Sequence, residues 1–188
     1  MKKYLLGIDA GSSSVKSVLF DRNGNTVIST CQLYKRLEVT EKTRRLGIEE
    51  IDANSIWEAT KTCIRSIIQK SCIDPKEISA VGLCSFGNGI VIVDKGGNPI
   101  ANAVFSIDYR ASKILESYQK EGKLSRINQI IGGTLFAGEP GPILCWYKQN
   151  RPDIYQQIGY ILMCKDFLIF KLTGMFSGDI NCFGGSSL

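Results

Sequence analysis

Gly7-Ile8-Asp9-Ala10-Gly11-Ser12-Ser13-Ser14 holds the residue types best suited to chemistry in this chain. Asp9 closes a short apolar run, and Gly11 with three serines follows it. Ser12, Ser13 and Ser14 offer hydroxyls and successive backbone N–H groups, a combination that suits an anion such as phosphate. A carboxylate beside such a cradle makes chemical sense when a divalent cation lies between the two. Gly7 and Gly11 allow backbone angles and close approaches that a side chain forbids. The plainer reading is a β-hairpin in which Asp9 satisfies turn amides, and this stretch alone leaves both readings open.

Two further polar groups stand at ends of apolar segments: Asn88 with Asp108 and Arg110, and then Asp179. Carboxylates at strand ends face the crevice where open sheets bind ligands. Asp108 and Arg110 share one face of an extended segment, which equally describes a structural ion pair. Asp179 can equally be an Asx-type turn or a helix cap. Trp57 and Trp146 read as core aromatics.

Composition narrows the chemistry. The 188 residues include no histidine, so Ser-His-Asp triads, Cys-His pairs and His-based metal sites are excluded. A general base must be a carboxylate, a lysine, a tyrosine or a cysteine. None of the seven cysteines forms a C-x-x-C pair, and most fall on apolar runs and read as small core residues. The net charge of +5 comes from scattered residues, with a local group at Lys42, Arg44 and Arg45. With no basic stripe interleaved with aromatics, nucleic acid is not the expected partner. Met1-Lys2-Lys3 resembles a charged leader, but Asp9 interrupts the apolar run that follows. No run reaches membrane-spanning length, so the expectation is a cytoplasmic protein with reduced thiols. Neither G-x-x-x-x-G-K-[ST] nor G-x-G-x-x-G between a strand and a helix is present.

The elements that must position these residues follow from pattern. Tyr4–Ile8, Val15–Phe20 and, after the Asp21-Arg22-Asn23-Gly24 turn, Thr26–Leu33 read as three antiparallel strands. Residues 34–51 read as loop or an irregular edge. Ser55 and Glu58 have capping-box spacing ahead of an apolar helical face carrying Ile56, Cys63 and Ile67, which Asp74-Pro75 closes. Strands are expected over Ile78–Cys84, Gly89–Val93 and Ala101–Phe105, and a helix over Ala111–Glu121. Gly132-Gly133 and residues 138–142 read as loop, Ile143–Lys148 as an apolar helical face. A strand over Tyr160–Met163 and a helix over Asp166–Leu172 complete an α/β or α+β chain.

Five ordered segments carry a family resemblance. Gly7–Lys16 resembles the opening of the FGGY carbohydrate kinases, within the actin, Hsp70 and sugar-kinase superfamily. Ala80–Ser85 with Gly87-Asn88-Gly89 resembles that family's strand and sugar-contact turn, and Ser106–Ala111 its W-x-D-x-R-A segment. Leu144–Pro152 resembles its L-x-W-x-K-x-x-x-P helix. Lys165–Leu168, Leu172-Thr173-Gly174 and Gly178-Asp179 resemble its K-D-Y-L…L-T-G…-T-D run.

The resemblance implies a ribonuclease H-like (actin-like ATPase) α/β domain, a mixed sheet with an antiparallel N-terminal meander and flanking helices. It implies that the chain is most of an N-terminal, sugar-binding lobe, without the C-terminal nucleotide-binding lobe. ATP and Mg2+ are the implied cosubstrate and cofactor, and a xylulose-like ketose or polyol the acceptor. Homodimerisation is compatible with it. Asp9 matches the metal-side carboxylate, Gly11, Ser12, Ser13 and Ser14 the phosphate-binding turn, Asn88, Asp108 and Arg110 the sugar contacts, and Asp179 the catalytic base. Asp9 and Asp179 are then expected to converge on one cleft. Ser106 stands where many members have Trp. The 188-residue chain is expected to have little or no turnover by itself. Two other readings remain: a stand-alone sugar-binding module, and a metal-dependent nuclease on the related framework with Asp9 and Asp108 holding cations.

Overall fold

In the N-terminal hairpin, Leu6, Ile8 and Ala10 on one strand and Val15, Ser17 and Leu19 on the next are all buried. That is the period-2 pattern of a sheet with one covered face. The structure, a computed structural model, describes residues 3–35, 37–38, 40–184 and 187, with the side chain of Lys42 set aside. The Met1-Lys2 part of the leader-like segment, Gly185 and the Leu188 terminus lie outside the described residues.

In chain order the first elements are β1 (Tyr4–Ala10), β2 (Ser14–Asp21), β3 (Thr26–Leu33), α1 (Glu41–Arg45), β4 (Glu50–Ile51), α2 (Ala53–Ser71) and β5 (Ile78–Ser85). Then come β6 (Val91–Val93), β7 (Ala103–Val104), α3 (Ser112–Lys120), α4 (Lys123–Ile131), α5 (Pro140–Asn150), α6 (Pro152–Tyr155), β8 (Tyr160–Leu162), α7 (Cys164–Thr173) and α8 (Ile180–Gly184). They divide between two compact units, residues 1–36 with 54–86, and residues 37–53 with 87–188.

The first unit is a sheet of order β3-β2-β1-β5. β1 pairs antiparallel with β2 and parallel with β5, so the sheet is mixed with an antiparallel meander, as expected. Helix α2 supplies its core layer through Ile56, Ala59, Cys63 and Ile67, all buried. The Cys63 thiol donates to the Val15 carbonyl at 3.4 Å, and Cys63 and Cys164 are buried as small core residues. Cys31, Cys72 and Cys84 are exposed and Cys145 and Cys182 half-buried, so the core reading fails for most of the cysteines, whose apolar runs present a face to solvent. The capping box is not formed as expected. α2 begins at Ala53, two residues early, and the Ser55 hydroxyl accepts the Lys35 N–H at 3.1 Å instead. Trp57 is half-buried with Lys61 over its ring, so it is not the core aromatic expected.

The second unit is built around Ile90, Ile92, Val104, Ala111, Ile114, Ile143 and Tyr147. Two short antiparallel pairs, β4 with β7 and β6 with β8, frame this core. Four helices lie where loop or nothing regular was expected: α1, α4, α6 and α8. Lys42, Arg44 and Arg45 therefore sit on or beside a helical turn, where Arg45 pairs with Glu41. α5 starts at Pro140, inside the segment read as a breaker. Proline suits the first helical turn, where its missing N–H has no partner to lose.

Candidate functional site

Asp9 lies near the C-terminal end of β1 with its side chain exposed. The register sets it opposite Lys16 on β2 and Cys84 on β5. Burial pushes the Cys84 thiol pKa up, and the hydrogen bond and charge of Asp9 push it the same way. The turn that follows is fastened from behind: Gly11 N–H donates to the Ser14 carbonyl at 3.0 Å. The Tyr34 hydroxyl donates to the Gly11 carbonyl at 2.9 Å, and the Tyr34 N–H to that of Ser13 at 3.1 Å. Among the described residues the amides and hydroxyls of Ser12 and Ser13, both exposed, take no partner. The hairpin exists, yet Asp9 does not serve as its amide acceptor. Neither Gly7 nor Gly11 has a positive φ, and a Cβ at either meets only ordinary contacts. The backbone-angle argument for these two glycines therefore does not hold.

Asn88 adopts φ +55°, in the left-handed region that asparagine tolerates and β-branched residues do not. Its side-chain amide makes no hydrogen bond among the described residues. Asn88→Val is expected to lower stability by about 1–2 kcal/mol, while Asn88→Gly costs little. Urea midpoints of the two variants measure the difference, and equal midpoints would remove the backbone argument.

Asp108 is fully buried. Oδ1 accepts the Arg110 N–H and Nε, each at 2.9 Å. Oδ2 accepts Arg110 Nη2 at 2.8 Å and the Glu49 N–H at 2.7 Å. Arg110 Nη2 also reaches Glu50 at 2.7 Å, and the guanidinium lies over the rings of Trp146 and Tyr147. Burial works against the Arg110 charge, but hydrogen bonding and charge from Asp108, joined by Glu50, hold its pKa above the ordinary value. The Asp108 carboxylate thus has its hydrogen-bonding capacity filled from within. The ion-pair reading describes this geometry better than a direct sugar contact does. Trp146 is half-buried and packs against the core of this unit, as expected of a core aromatic, and it also lies beside the Arg110 guanidinium. Sequence reasoning missed Glu50, which lay in a stretch read as loop, and Tyr147.

Asp179 stands before α8. Its Oδ1 accepts the Asn181 N–H at 2.8 Å, and Lys165 Nζ donates to Oδ2 at 2.7 Å. The Lys165 hydrogen bond, then the Asn181 amide, holds the Asp179 carboxyl below the usual range. The two hydrogen bonds give Asp179 the geometry of the cap reading. Lys165 was legible only as part of the K-D-Y-L-like run.

A cavity of about 510 Å³ opens beside the Ser106–Arg110 segment, lined in part by Ser106, Asp108 and Tyr109 and by one face of α3. Gly138 closes one end: a Cβ there would fall 1.8 Å from the Ser106 carbonyl oxygen, so only glycine permits this approach. Asp9 and the serine turn belong to the first unit, Asn88, Asp108, Arg110 and Asp179 to the second. Among the described residues no group of three or more Cys, Asp or Glu side chains could hold a metal ion. No helix among them is long and apolar enough to cross a membrane.

Residues 4–188 match the FGGY family of carbohydrate kinases, N-terminal domain. The chain belongs to that family. This FGGY chain is 37% identical over 170 residues to a probable L-xylulose kinase of Haemophilus influenzae, covering 90% of this chain and 34% of the relative. It is 35% identical over 179 residues to an autoinducer-2 kinase of Yersinia enterocolitica, covering 94% and 33%. A ligand-bound xylulose kinase from Lactobacillus acidophilus superposes with a TM-score of 0.88 at 26% identity, over 98% of this chain and 36% of that one. The fold is that of the actin-like sugar kinases. The chain spans about a third of the length of the curated relatives it matches.

Proposed function

We propose that this chain is most of the acceptor-binding N-terminal lobe of a kinase that transfers the γ-phosphoryl group of MgATP to a hydroxyl of a small ketose or polyol. The observation that carries the reading is the turn after Asp9: exposed Ser12 and Ser13, with amides and hydroxyls unspent inside the protein, next to an exposed carboxylate. Gly11, Ser12, Ser13 and Ser14 would bind phosphate oxygens. Asp9 is the residue that would hold Mg2+, which neutralises phosphate charge when bound. One carboxylate suits that ion, because Mg2+ keeps several waters and shares phosphate oxygens. Such a site does its work by positioning and charge stabilisation. Asn88, with its free amide, is the better direct acceptor contact. Asp108 and Arg110 act through the ion pair that fixes the Ser106–Arg110 segment beside the cavity. Asp179 orders α8 through Lys165 and Asn181.

The names of the relatives favour a ketose such as L-xylulose as acceptor. The family match weighs against the nuclease reading, and no observation favours the stand-alone module. The test is ATP-dependent phosphorylation of pentuloses, hexuloses and polyols by the natural full-length protein. ADP release that depends on one of these acceptors is expected, and its absence with all of them overturns the proposal. Asp179→Asn in that protein is expected to keep most of its turnover. A fall in kcat beyond about 10²-fold, the range of a lost general base, restores the base assignment.

A further inference from the structure

The turn after Asp9 is fastened at two points by one residue. Tyr34 follows β3 and is buried. Its hydroxyl donates to the Gly11 carbonyl at 2.9 Å, and its N–H to the Ser13 carbonyl at 3.1 Å. The strut continues behind it, where the Lys35 N–H donates to Ser55 Oγ in the first turn of α2 at 3.1 Å. All of these residues belong to the first unit. A trans peptide is planar, with its C=O and N–H pointing opposite ways. Holding the Gly11 carbonyl on Tyr34 therefore turns the Ser12 N–H away from the buried ring, and Ser12 is exposed. Rotation of this one peptide would exchange the N–H for a carbonyl oxygen, which repels an anion. Gly11 has no Cβ to resist that rotation, so the hydroxyl supplies what sterics do not.

We infer that Tyr34 is a positioning residue for phosphoryl transfer, its hydroxyl keeping the Gly11–Ser12 peptide in the orientation that offers phosphate a donor. The inference rests on the kinase reading and adds to it a buried residue behind the turn. Packing alone does not call for the hydroxyl, since phenylalanine has the same ring. Donors set in place before the reaction stabilise developing charge without reorganising, and losing one directly placed donor costs about 10²–10³-fold in rate. Tyr34 acts through the turn, and its backbone anchor at Ser13 survives loss of the hydroxyl, so the hydroxyl is worth less than that. Groups that orient a ligand from behind are worth about 10–100-fold in metal sites.

The test is Tyr34→Phe in the natural full-length protein, assayed with the ketose or polyol that it phosphorylates. kcat/KM for MgATP is expected to fall about tenfold, while KM for the acceptor stays unchanged and circular dichroism shows the native fold. A merely structural loss would move both substrates alike. Unchanged kcat/KM for MgATP overturns the inference, and so does an equal rise in KM for the acceptor. If Tyr34→Phe does not fold, Ser55→Ala releases the same strut at its far end. A fall in kcat/KM for MgATP alone then supports the inference, and unchanged MgATP kinetics overturn it. Wild-type activity with unaltered variant kinetics overturns this inference and leaves the kinase reading standing. Absence of wild-type turnover with every acceptor overturns both.

Discussion

Arg110→Ala is expected to destabilise the chain by about 3–5 kcal/mol, the cost of breaking a buried pair from one side. Asp108 is fully buried and Arg110 nearly so. The guanidinium meets both carboxylate oxygens in a forked arrangement, at 2.9 and 2.8 Å. Without it, Asp108 keeps the Glu49 and Arg110 amides but loses the positive charge paired with it. Glu50 loses its partner at the same time, and Trp146 and Tyr147 lose the flat cation stacked on their rings. Against a total stability of about 5–15 kcal/mol for an ordinary domain, such a loss approaches unfolding. Arg110→Lys recovers only part of it, because an ammonium cannot match the forked geometry. Pairing Arg110→Met with Asp108→Asn is expected to cost less than the sum of the single changes. Urea denaturation of the variants measures this. A loss below about 1 kcal/mol for Arg110→Ala would place the pair among exposed, solvent-screened ion pairs and undo its role in fixing the segment beside the cavity.

That ion pair also marks the boundary of what the sequence makes legible. Asp108 and Arg110, two residues apart in an extended segment, can be read as a pair from spacing alone. Glu50 cannot, because it lies 60 residues from Arg110 along the chain in a polar stretch without a period. The three N-terminal strands and the buried face of α2 are legible because short-range alternation and helical spacing decide them. α4 carries a fair signal, Leu124, Ile127 and Ile131 at helical spacing, but it is short and ends in Gly132-Gly133, which look like a breaker. The start of α5 was hidden for a related reason: Pro140 and Pro142 read as loop until the first helical turn is seen to accept proline. Asp9 and its serine turn were legible as a strand end and hairpin. The unspent amides of Ser12 and Ser13 were not, since the partners of a backbone N–H depend on how Tyr34 comes back to fasten the turn. The cavity was invisible for a similar reason, as it joins α3 to a segment that sequence spacing does not connect.

Asp166 supplies the second large effect, with the opposite sign. It is 1% exposed, and among the described residues neither carboxylate oxygen makes a hydrogen bond of good geometry. Its place in the first turn of α7 gives it the favourable end of the helix dipole. Burial still pushes its pKa above the ordinary value, with the Lys165 charge and the Met163 amide pulling back and the Asp179 charge adding to the rise. A carboxyl whose folded pKa exceeds its unfolded one binds its proton more tightly in the folded state. Its contribution is therefore most favourable below the unfolded value and is lost as pH rises through the folded one. At about pH 8, folding must bury a poorly partnered charge or take up a proton, and an unsatisfied buried group costs about 1–3 kcal/mol, more when charged. Asp166→Asn keeps the shape and removes the charge, so it is expected to stabilise the chain by about 1–3 kcal/mol at that pH. The gain should shrink as the buffer is acidified and vanish below about pH 4, where the native carboxyl is protonated in both states. Thermal or urea unfolding of the two proteins across that window gives the answer. A gain independent of pH would trace to packing rather than charge, and destabilisation at every pH would mean that Asp166 has a partner in solution.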